Sequence, residues 1–229
     1  MSIFKYYIHD LLFLSHLLFF IKKNMVVIGV IDKLSLKLTN IIKNNLDDIS
    51  EEKAEEINNG LNVIIYEVFI TIVLIPLIIL SGLLKYCITY MIVYGILRIF
   101  TGGSHARTRL ACFLTYATSL FGISMLSKLL PAMHIVLVIL IFLAALCIFI
   151  IYVPGDTVEK PIKSRKMMKR LKFISIMLLI YIFVITIIVG HFNSGIYNVI
   201  TLAVAQVSFF LTPIGYKLYS CKRSSQVQE

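Results

Sequence analysis

The sequence has no tryptophan, few charged residues and few cysteines, and each shortage limits the kind of protein that this chain can be. Charged residues make up only 15% of the 229 residues, whereas 59% are hydrophobic, and the mean hydropathy is +0.91. A soluble domain of this size cannot bury so much apolar surface, so the solvent around the chain must be lipid. Without tryptophan, an aromatic belt at the membrane interface would depend on the 12 tyrosines.

The cysteines and the net charge exclude two further classes of protein. There are four cysteines, with no CxxC spacing and no partnering pair of histidines, namely Cys87, Cys112, Cys147 and Cys221. This pattern argues against a structural zinc site and a disulfide framework, and it predicts neither a metal nor a cofactor. The net charge is +10, but the basic residues lie between apolar runs instead of forming the basic stripe of a nucleic-acid-binding domain. We therefore predict a lipid bilayer, and no nucleic acid, as a partner.

The N-terminal 60 residues divide into two parts. Residues 1–24 contain an apolar run interrupted by charged residues, which fits a secretory signal poorly. They form a doubtful N-terminal extension, for which an upstream extension, a membrane-surface helix and a real span all stay open. Residues 25–60 carry apolar residues at helical spacing and predict amphipathic helices at the cytoplasmic interface, the second of them ending at the Asn-Asn-Gly of 58–60.

From residue 61 onward the sequence consists of long apolar runs. Each run is close to the ~20 residues that a helix needs to cross the hydrocarbon core. The runs predict an all-α integral membrane protein whose six transmembrane helices occupy 61–80, 83–100, 110–127, 132–153, 172–190 and 196–216. The transmembrane domain is thus expected at 61–216, followed by a basic cytoplasmic tail at 217–229.

Lysines and arginines alternate between the connections, and this alternation predicts the orientation. The segments 98–109 and 154–172 and the C-terminal tail are basic, while the connections between them carry few or no basic residues. An excess of lysine and arginine marks cytoplasmic loops. We therefore predict a multi-pass protein of the cytoplasmic membrane, with these two segments and both termini in the cytoplasm.

One connection, RIFTGGSHARTRLAC at 98–112, combines a glycine pair, three arginines, a histidine and a cysteine between two apolar runs. These residues fit two interpretations: topology signals around an ordinary turn, or a cysteine nucleophile with an imidazole and arginines beside it. On one unbroken helix, His105 and Cys112 would lie roughly 10 Å apart along the axis, too far for a hydrogen bond. The pair Gly102 and Gly103 would let His105 fold back over the helix that carries Cys112.

Two blocks of the sequence together resemble the accessory gene regulator B (AgrB) family. The first is Arg98-x-x-x-Gly102-Gly103-x-His105-Ala106, with Cys112 seven residues after the histidine. The second is YVPGDTVEKPI at 152–162, which is similar to the family's cytoplasmic Y-x-P-x-D-x-x-x-K-P loop. Ser104 stands where the family often has an aromatic residue. The resemblance covers about residues 25–216.

Members of this family are membrane-embedded cysteine endopeptidases of Gram-positive bacteria. The resemblance implies that this chain removes the C-terminal part of a small AgrD-like precursor peptide. The remainder would be closed into a thiolactone or lactone ring, which is a quorum-sensing autoinducer. The resemblance also implies that Cys112 is the nucleophile and His105 its general base. A peptidyl thioester on Cys112 would be the intermediate, and exclusion of water would favour ring closure over hydrolysis.

Other residues are candidates for supporting roles. Asp156 could orient His105 from the same cytoplasmic face, or it could be an ordinary turn residue. Glu67 is an acid inside a predicted span, which points to a functional site, although pairing with Lys85 would also explain it. The residues expected to support the catalytic pair are Asp156, Arg98, Gly102 and Gly103, and those expected to bind the precursor are Arg107, Arg109, Lys160 and Glu67.

A non-enzymatic six-span transporter or permease is the alternative function. In that case Glu67 and the glycine pair would line a transport path, and neither Cys112 nor a precursor peptide would be needed. The oligomeric state, including a homodimer, also stays open.

Overall fold

The structure is a computed structural model, and it describes residues 25–45, 50–104, 108–156, 164–221 and 223. These described residues form eight helices and no β-strand. In chain order the helices are α1 (Met25–Asn45), α2 (Glu51–Leu80), α3 (Leu84–Thr101), α4 (Arg109–Leu129), α5 (Ile135–Tyr152), α6 (Arg165–Gly190), α7 (Ser194–Leu211) and α8 (Pro213–Leu218).

The helices confirm an all-α membrane protein. Five of them, α3 to α7, are long and apolar enough to cross a membrane, and they coincide with the last five predicted spans. The first predicted span, 61–80, lies within α2, where the apolar part Val68–Leu80 is shorter than 18 residues. Because a helix rises about 1.5 Å per residue, this part alone is too short for a hydrocarbon core of about 30 Å. A crossing by α2 therefore has to include residues before Val68.

The predicted extension at 1–24 lies outside the described residues. The described residues up to Pro76 form one compact unit, in which the N-terminal part of α2 is hydrogen-bonded to α1. Asn62 donates to Asp32 Oδ1 at 2.5 Å. Thr39 donates to Asn58 Oδ1 at 3.4 Å. The predicted end of a helix at the Asn-Asn-Gly sequence is wrong, since α2 continues through it without a break. Asn58 and Asn62 bond to α1 instead of competing for nearby backbone groups, which removes the usual reason for asparagine to end a helix.

The described residues from Leu77 onward form the second unit, with α7 as its central helix. α7 packs on α3, α4, α5 and α6, and 67% of its span is buried, against 22–28% of the other four spans. The core between these helices includes Leu97, Val153 and Leu211. Since these three residues lie at or just after the C-terminal ends of α3, α5 and α7, those three ends meet at one end of the bundle.

Side-chain caps determine where two of these helices begin. Thr108 accepts a hydrogen bond from Ala111 N at 3.2 Å, and Ser164 accepts one from Met167 N at 3.4 Å. Both are typical N-caps of α-helices. The cap at Ser164 starts α6 well before the predicted span at 172–190. Residues predicted to lie in a loop therefore form the exposed first turns of α6, among them Arg165, Lys166, Lys169 and Arg170.

The last predicted span, 196–216, is too long at its C-terminal end. α7 ends at Leu211, and a separate short helix begins at Pro213. Thr212 between them is extended, with φ −75° and ψ 158°, because a residue before proline avoids the helical region. A proline is well suited to the first turn of the next helix, so the chain leaves the axis of α7 at this point.

The orientation of the bundle stays a prediction, and cysteine labelling in intact cells can test it. In a background without native cysteines, single cysteines would replace two exposed serines: Ser164, which caps the start of α6, and Ser194, the first residue of α7, which follows the opposite end of α6. We expect an impermeant maleimide to label Ser194→Cys in intact cells, and Ser164→Cys only after permeabilisation, because basic segments stay in the cytoplasm. The reverse pattern would contradict the cytoplasmic placement of 98–109 and 154–172.

Candidate active site

Arg98 holds the turn that follows α3. It lies in the last turn of the helix, and its guanidinium donates to two carbonyl oxygens beyond the helix end, Gly102 O at 2.6 Å and Ser104 O. Its own carbonyl accepts from Gly102 N at 3.1 Å. The rigid fork of an arginine can bridge two such acceptors, which the single ammonium of a lysine does less well. Arg98 therefore fixes the path of the chain immediately before His105.

Gly102 and Gly103 both adopt backbone angles that favour glycine, with φ of +66° and +115°. Neither position has room for a side chain. A Cβ on Gly102 would clash with the carbonyl oxygen of Gly155, and a Cβ on Gly103 would clash with the Arg98 guanidinium. The sequence predicts that the pair lets His105 fold back, and this stays a prediction. In the described part of the chain, the pair permits the close approach of the loop that contains Gly155.

The glycine turn is hydrogen-bonded to the loop after α5. Gly103 N donates to Gly155 O at 2.9 Å, and Gly155 N donates to Thr101 O at 2.7 Å, which forms a short parallel bridge. The two sequence blocks that resemble the AgrB family, at 98–112 and 152–162, therefore meet at one end of the bundle. Hydropathy and spacing place both blocks on one side of the membrane, but they do not predict this direct contact.

Arg223, in the C-terminal segment, also contacts this loop. Arg223 donates to Tyr152 O and, at 3.2 Å, to Pro154 O, and its guanidinium lies 5.5 Å from the Tyr152 ring. The Arg223 Nε atom is 3.8 Å from the Asp156 carboxylate. Asp156 therefore has a cationic partner within the fold, while its predicted role in orienting His105 remains a prediction.

Tyr216 also bonds to the loop. Its hydroxyl donates to Asp156 O at 2.9 Å. Burial raises the pKa of Tyr216 to about 12, so the phenol keeps the proton that it donates. The sequence pattern singles out neither residue: Tyr216 is one aromatic residue at the end of the last predicted span, and Arg223 is one of several basic residues in the tail.

Ser104 attaches the glycine turn to the end of α7. Its backbone N–H and its hydroxyl both donate to Phe210 O, at 3.1 and 2.9 Å, and the residue is buried. The last carbonyls of a helix have no partner within the helix, so they are available to such donors. Three segments, from the ends of α3, α5 and α7, thus converge on the residues that precede His105.

Cys112 lies in the first turn of α4 and is half-buried. Its N–H donates to Thr108 O at 3.1 Å, and this bond belongs to the capped start of the helix. The N-terminal turn carries the positive end of the helix dipole, which stabilises a negative charge such as that of a thiolate. Cys87 holds the corresponding position in the first turn of α3, but the start of that helix has no side-chain cap and Cys87 is fully buried. Cys147 lies in the interior of α5.

Several predicted site residues lie outside what the structure describes. They are His105, Arg107 and Lys160, together with the side chains of Arg109 and Glu67. The pairing of an imidazole with the Cys112 thiol is therefore a prediction from the sequence. Over the described ranges, no group of three or more histidine, cysteine, aspartate or glutamate side chains is arranged to hold a metal ion.

Comparison with known protein families matches residues 35–211 to one family, described as accessory gene regulator B (AgrB). The match includes the glycine turn, Cys112 and all five membrane-crossing helices. Curated proteins and solved structures give no match to this chain.

Proposed function

Since the chain belongs to the accessory gene regulator B family, whose members are membrane proteins of autoinducer peptide processing, we propose that it is a cysteine endopeptidase. Its substrate in this proposal is an AgrD-like precursor peptide. The enzyme removes the C-terminal part of the precursor and closes the remainder into a thiolactone or lactone. Cys112 is the nucleophile, and His105 is the general acid and base.

The proposed chemistry has two steps. In the first, the Cys112 sulfur attacks the scissile carbonyl, the C–N bond breaks, and His105 delivers a proton to the departing amine. The N-terminal part of the precursor is then held on the enzyme as a thioester. In the second step, a cysteine or serine of the precursor attacks the thioester carbonyl. The ring is released, and the Cys112 thiol is regenerated.

The observation that supports this proposal most strongly is the construction around Cys112. The cysteine lies in the first turn of a capped helix, and residues 102–104, which come just before His105, are held by Arg98, by the 152–156 loop and by Phe210 O. Catalysis requires reacting groups to be held in place before the substrate arrives, because small displacements are costly. A turn that served only as a topology signal would not need three separate anchors.

The residues proposed to bind the substrate are assigned mainly by their positive charge. The candidates Arg107, Arg109 and Lys160 belong to the two connected blocks and would meet an acidic C-terminal tail of the precursor. Glu67, the fourth candidate, would contact the precursor from within α2. The transporter alternative is less well supported, because Gly103 is buried against the 152–156 loop instead of facing an open path.

A precursor that cannot close its ring tests the covalent step. If the ring-forming cysteine or serine of the precursor is replaced by alanine, we expect Cys112 still to cut and a covalent enzyme–peptide adduct to accumulate. The adduct is measured as a gel shift of the enzyme that thiol reagents reverse, since a thioester exchanges with thiols. Cys147→Ala should form the same adduct and serves as the control. Cleavage without any adduct, at every time point, would contradict a thioester intermediate.

A further inference from the structure

The chain after α7 folds back on the bundle and brings Arg223 to the 152–156 loop. In α8, Gly215 packs so closely on the end of α7 that a Cβ there would clash with the α7 backbone. After α8 the chain turns, and Cys221 N donates to Tyr216 O at 3.1 Å. These contacts direct the C-terminal segment toward the end of the bundle where the glycine turn lies.

The guanidinium of Arg223 reaches several different groups of the loop at once. Its Nη2 atom donates to Tyr152 O and, at 3.2 Å, to Pro154 O. Its Nε atom faces the Asp156 carboxylate at 3.8 Å, and its central carbon lies 5.5 Å from the centre of the Tyr152 ring. A planar guanidinium can make these contacts together, whereas the ammonium of a lysine is a single point charge. Arg223 therefore holds the backbone of the loop as well as its charge.

The ion pair of Arg223 with Asp156 is shielded from water. The two side chains are only 19% and 14% exposed. A shielded pair is screened less than a surface pair, and removal of one partner leaves the other charge uncompensated. Tyr216 adds a bond to the backbone of the same residue, since its hydroxyl donates to Asp156 O at 2.9 Å. Asp156 is thus held through both its side chain and its carbonyl.

The same loop is bonded directly to the glycine turn. Gly103 N donates to Gly155 O at 2.9 Å, and Gly155 N donates to Thr101 O at 2.7 Å. Arg223 contacts the residues on both sides of Gly155, namely Pro154 and Asp156. A shift of the loop after loss of Arg223 would therefore disturb both bonds to the glycine turn.

We propose that Arg223, through the contacts of its guanidinium, is a positioning residue for the active site. It holds the 152–156 loop against the glycine turn and so fixes the chain that leads to His105. This inference rests on the proposed endopeptidase function. It adds to the site a residue beyond 35–211, the part of the chain that matches the family. Arg223 contacts neither the precursor nor the reacting atoms in this proposal, so its loss should slow the chemical step and leave binding of the precursor intact.

Steady-state cleavage of a tagged precursor by the full chain in lipid nanodiscs tests this role. We expect Arg223→Ala to lower kcat roughly tenfold and to change KM by less than about twofold, because catalytic groups are displaced while no contact with the precursor is lost. Arg223→Lys keeps the charge without the planar guanidinium and should lower kcat by at least about threefold. Lys217→Ala, which removes an exposed positive charge from α8, is the matched control and should cleave like the wild type. Wild-type kcat in Arg223→Ala or in Arg223→Lys overturns the proposal.

A double-mutant cycle with Gly102→Ala separates this role from a general effect on stability. Gly102→Ala already breaks the contact between the glycine turn and the loop, so adding Arg223→Ala should lower kcat by less than about twofold further. Residues that act through one contact are coupled in this way, whereas independent effects add. A further loss as large as that in the wild-type background would show that Arg223 does not act through the glycine turn, and would overturn the proposal.

Amide hydrogen exchange of the full chain provides a measurement that needs no precursor. The N–H groups of Gly103 and Gly155 should exchange roughly tenfold faster in Arg223→Ala than in Lys217→Ala, because the bonds between loop and turn open more often. Amides inside α5 should exchange equally in the two variants. Equal exchange at both glycines, or faster exchange throughout α5 as well, overturns the proposal. Continued cleavage by Cys112→Ala would instead reject the endopeptidase function, and the exchange result would stand apart from it.

Discussion

Cys112→Ala is expected to cleave the precursor at a rate at least on the order of 10⁴-fold below that of the wild-type enzyme. The variant should insert normally into the membrane. The substitution removes the sulfur that attacks the scissile carbonyl in the proposed mechanism. Cys112→Ser should be nearly as inactive, because a hydroxyl is far harder to ionise than a thiol and His105 is the one base proposed. The measurement is the amount of released C-terminal fragment per inserted enzyme, quantified with a tag on the precursor.

Two sets of variants make this result specific. Cys87→Ala and Cys147→Ala keep the thiol at the start of α4 and should cleave at close to the wild-type rate. His105→Ala should lose cleavage nearly as completely as Cys112→Ala, since the leaving amine would lack a proton donor. Normal release of the fragment by Cys112→Ala would reject the cysteine-protease mechanism and favour the transporter alternative.

Most of the fold follows from local features of the sequence. Hydropathy predicts α3 to α7, because each of these helices has to match the thickness of the bilayer. Two helix ends differ clearly from the prediction, and in both cases a capping residue or a proline sets the end. Ser164 caps α6 early, and Pro213 ends the last span sooner than its hydropathy indicates. The continuity of α2 was not predictable, because it depends on bonds from Asn58 and Asn62 to another helix.

The candidate site is only partly encoded in local pattern. The glycine turn and Cys112 stand out because polar and reactive residues are rare among apolar runs. Gly155, Tyr216 and Arg223 do not stand out, since each reaches the site through contacts between segments distant in sequence. Such contacts arise from the packing of α3, α5 and α7 around a common end, and no periodicity in the chain reports them.

Gly102→Ala is expected to reduce precursor cleavage roughly 100-fold in enzyme that is inserted and stable, because a shift of about 1 Å in catalytic groups costs that much. Alanine is strained at φ +66°, and its Cβ would clash with the Gly155 carbonyl oxygen. The strained turn must relax by moving away from the 152–156 loop. That movement would displace the chain leading to His105 while Cys112 stays on its capped helix. Cleavage per inserted enzyme is the quantity to measure.

Gly95→Ala is the matched control on the same helix. Gly95 lies inside α3, and a Cβ there meets no atom within 4 Å. Alanine favours a helix over glycine by about 1 kcal/mol, so this variant should be at least as stable as the wild type and cleave at its rate. The difference between the two variants isolates the geometry of the turn from the general effect of an added methyl group. Equal cleavage by Gly102→Ala and Gly95→Ala would show that the contact between the glycine turn and the 152–156 loop does not position the catalytic groups.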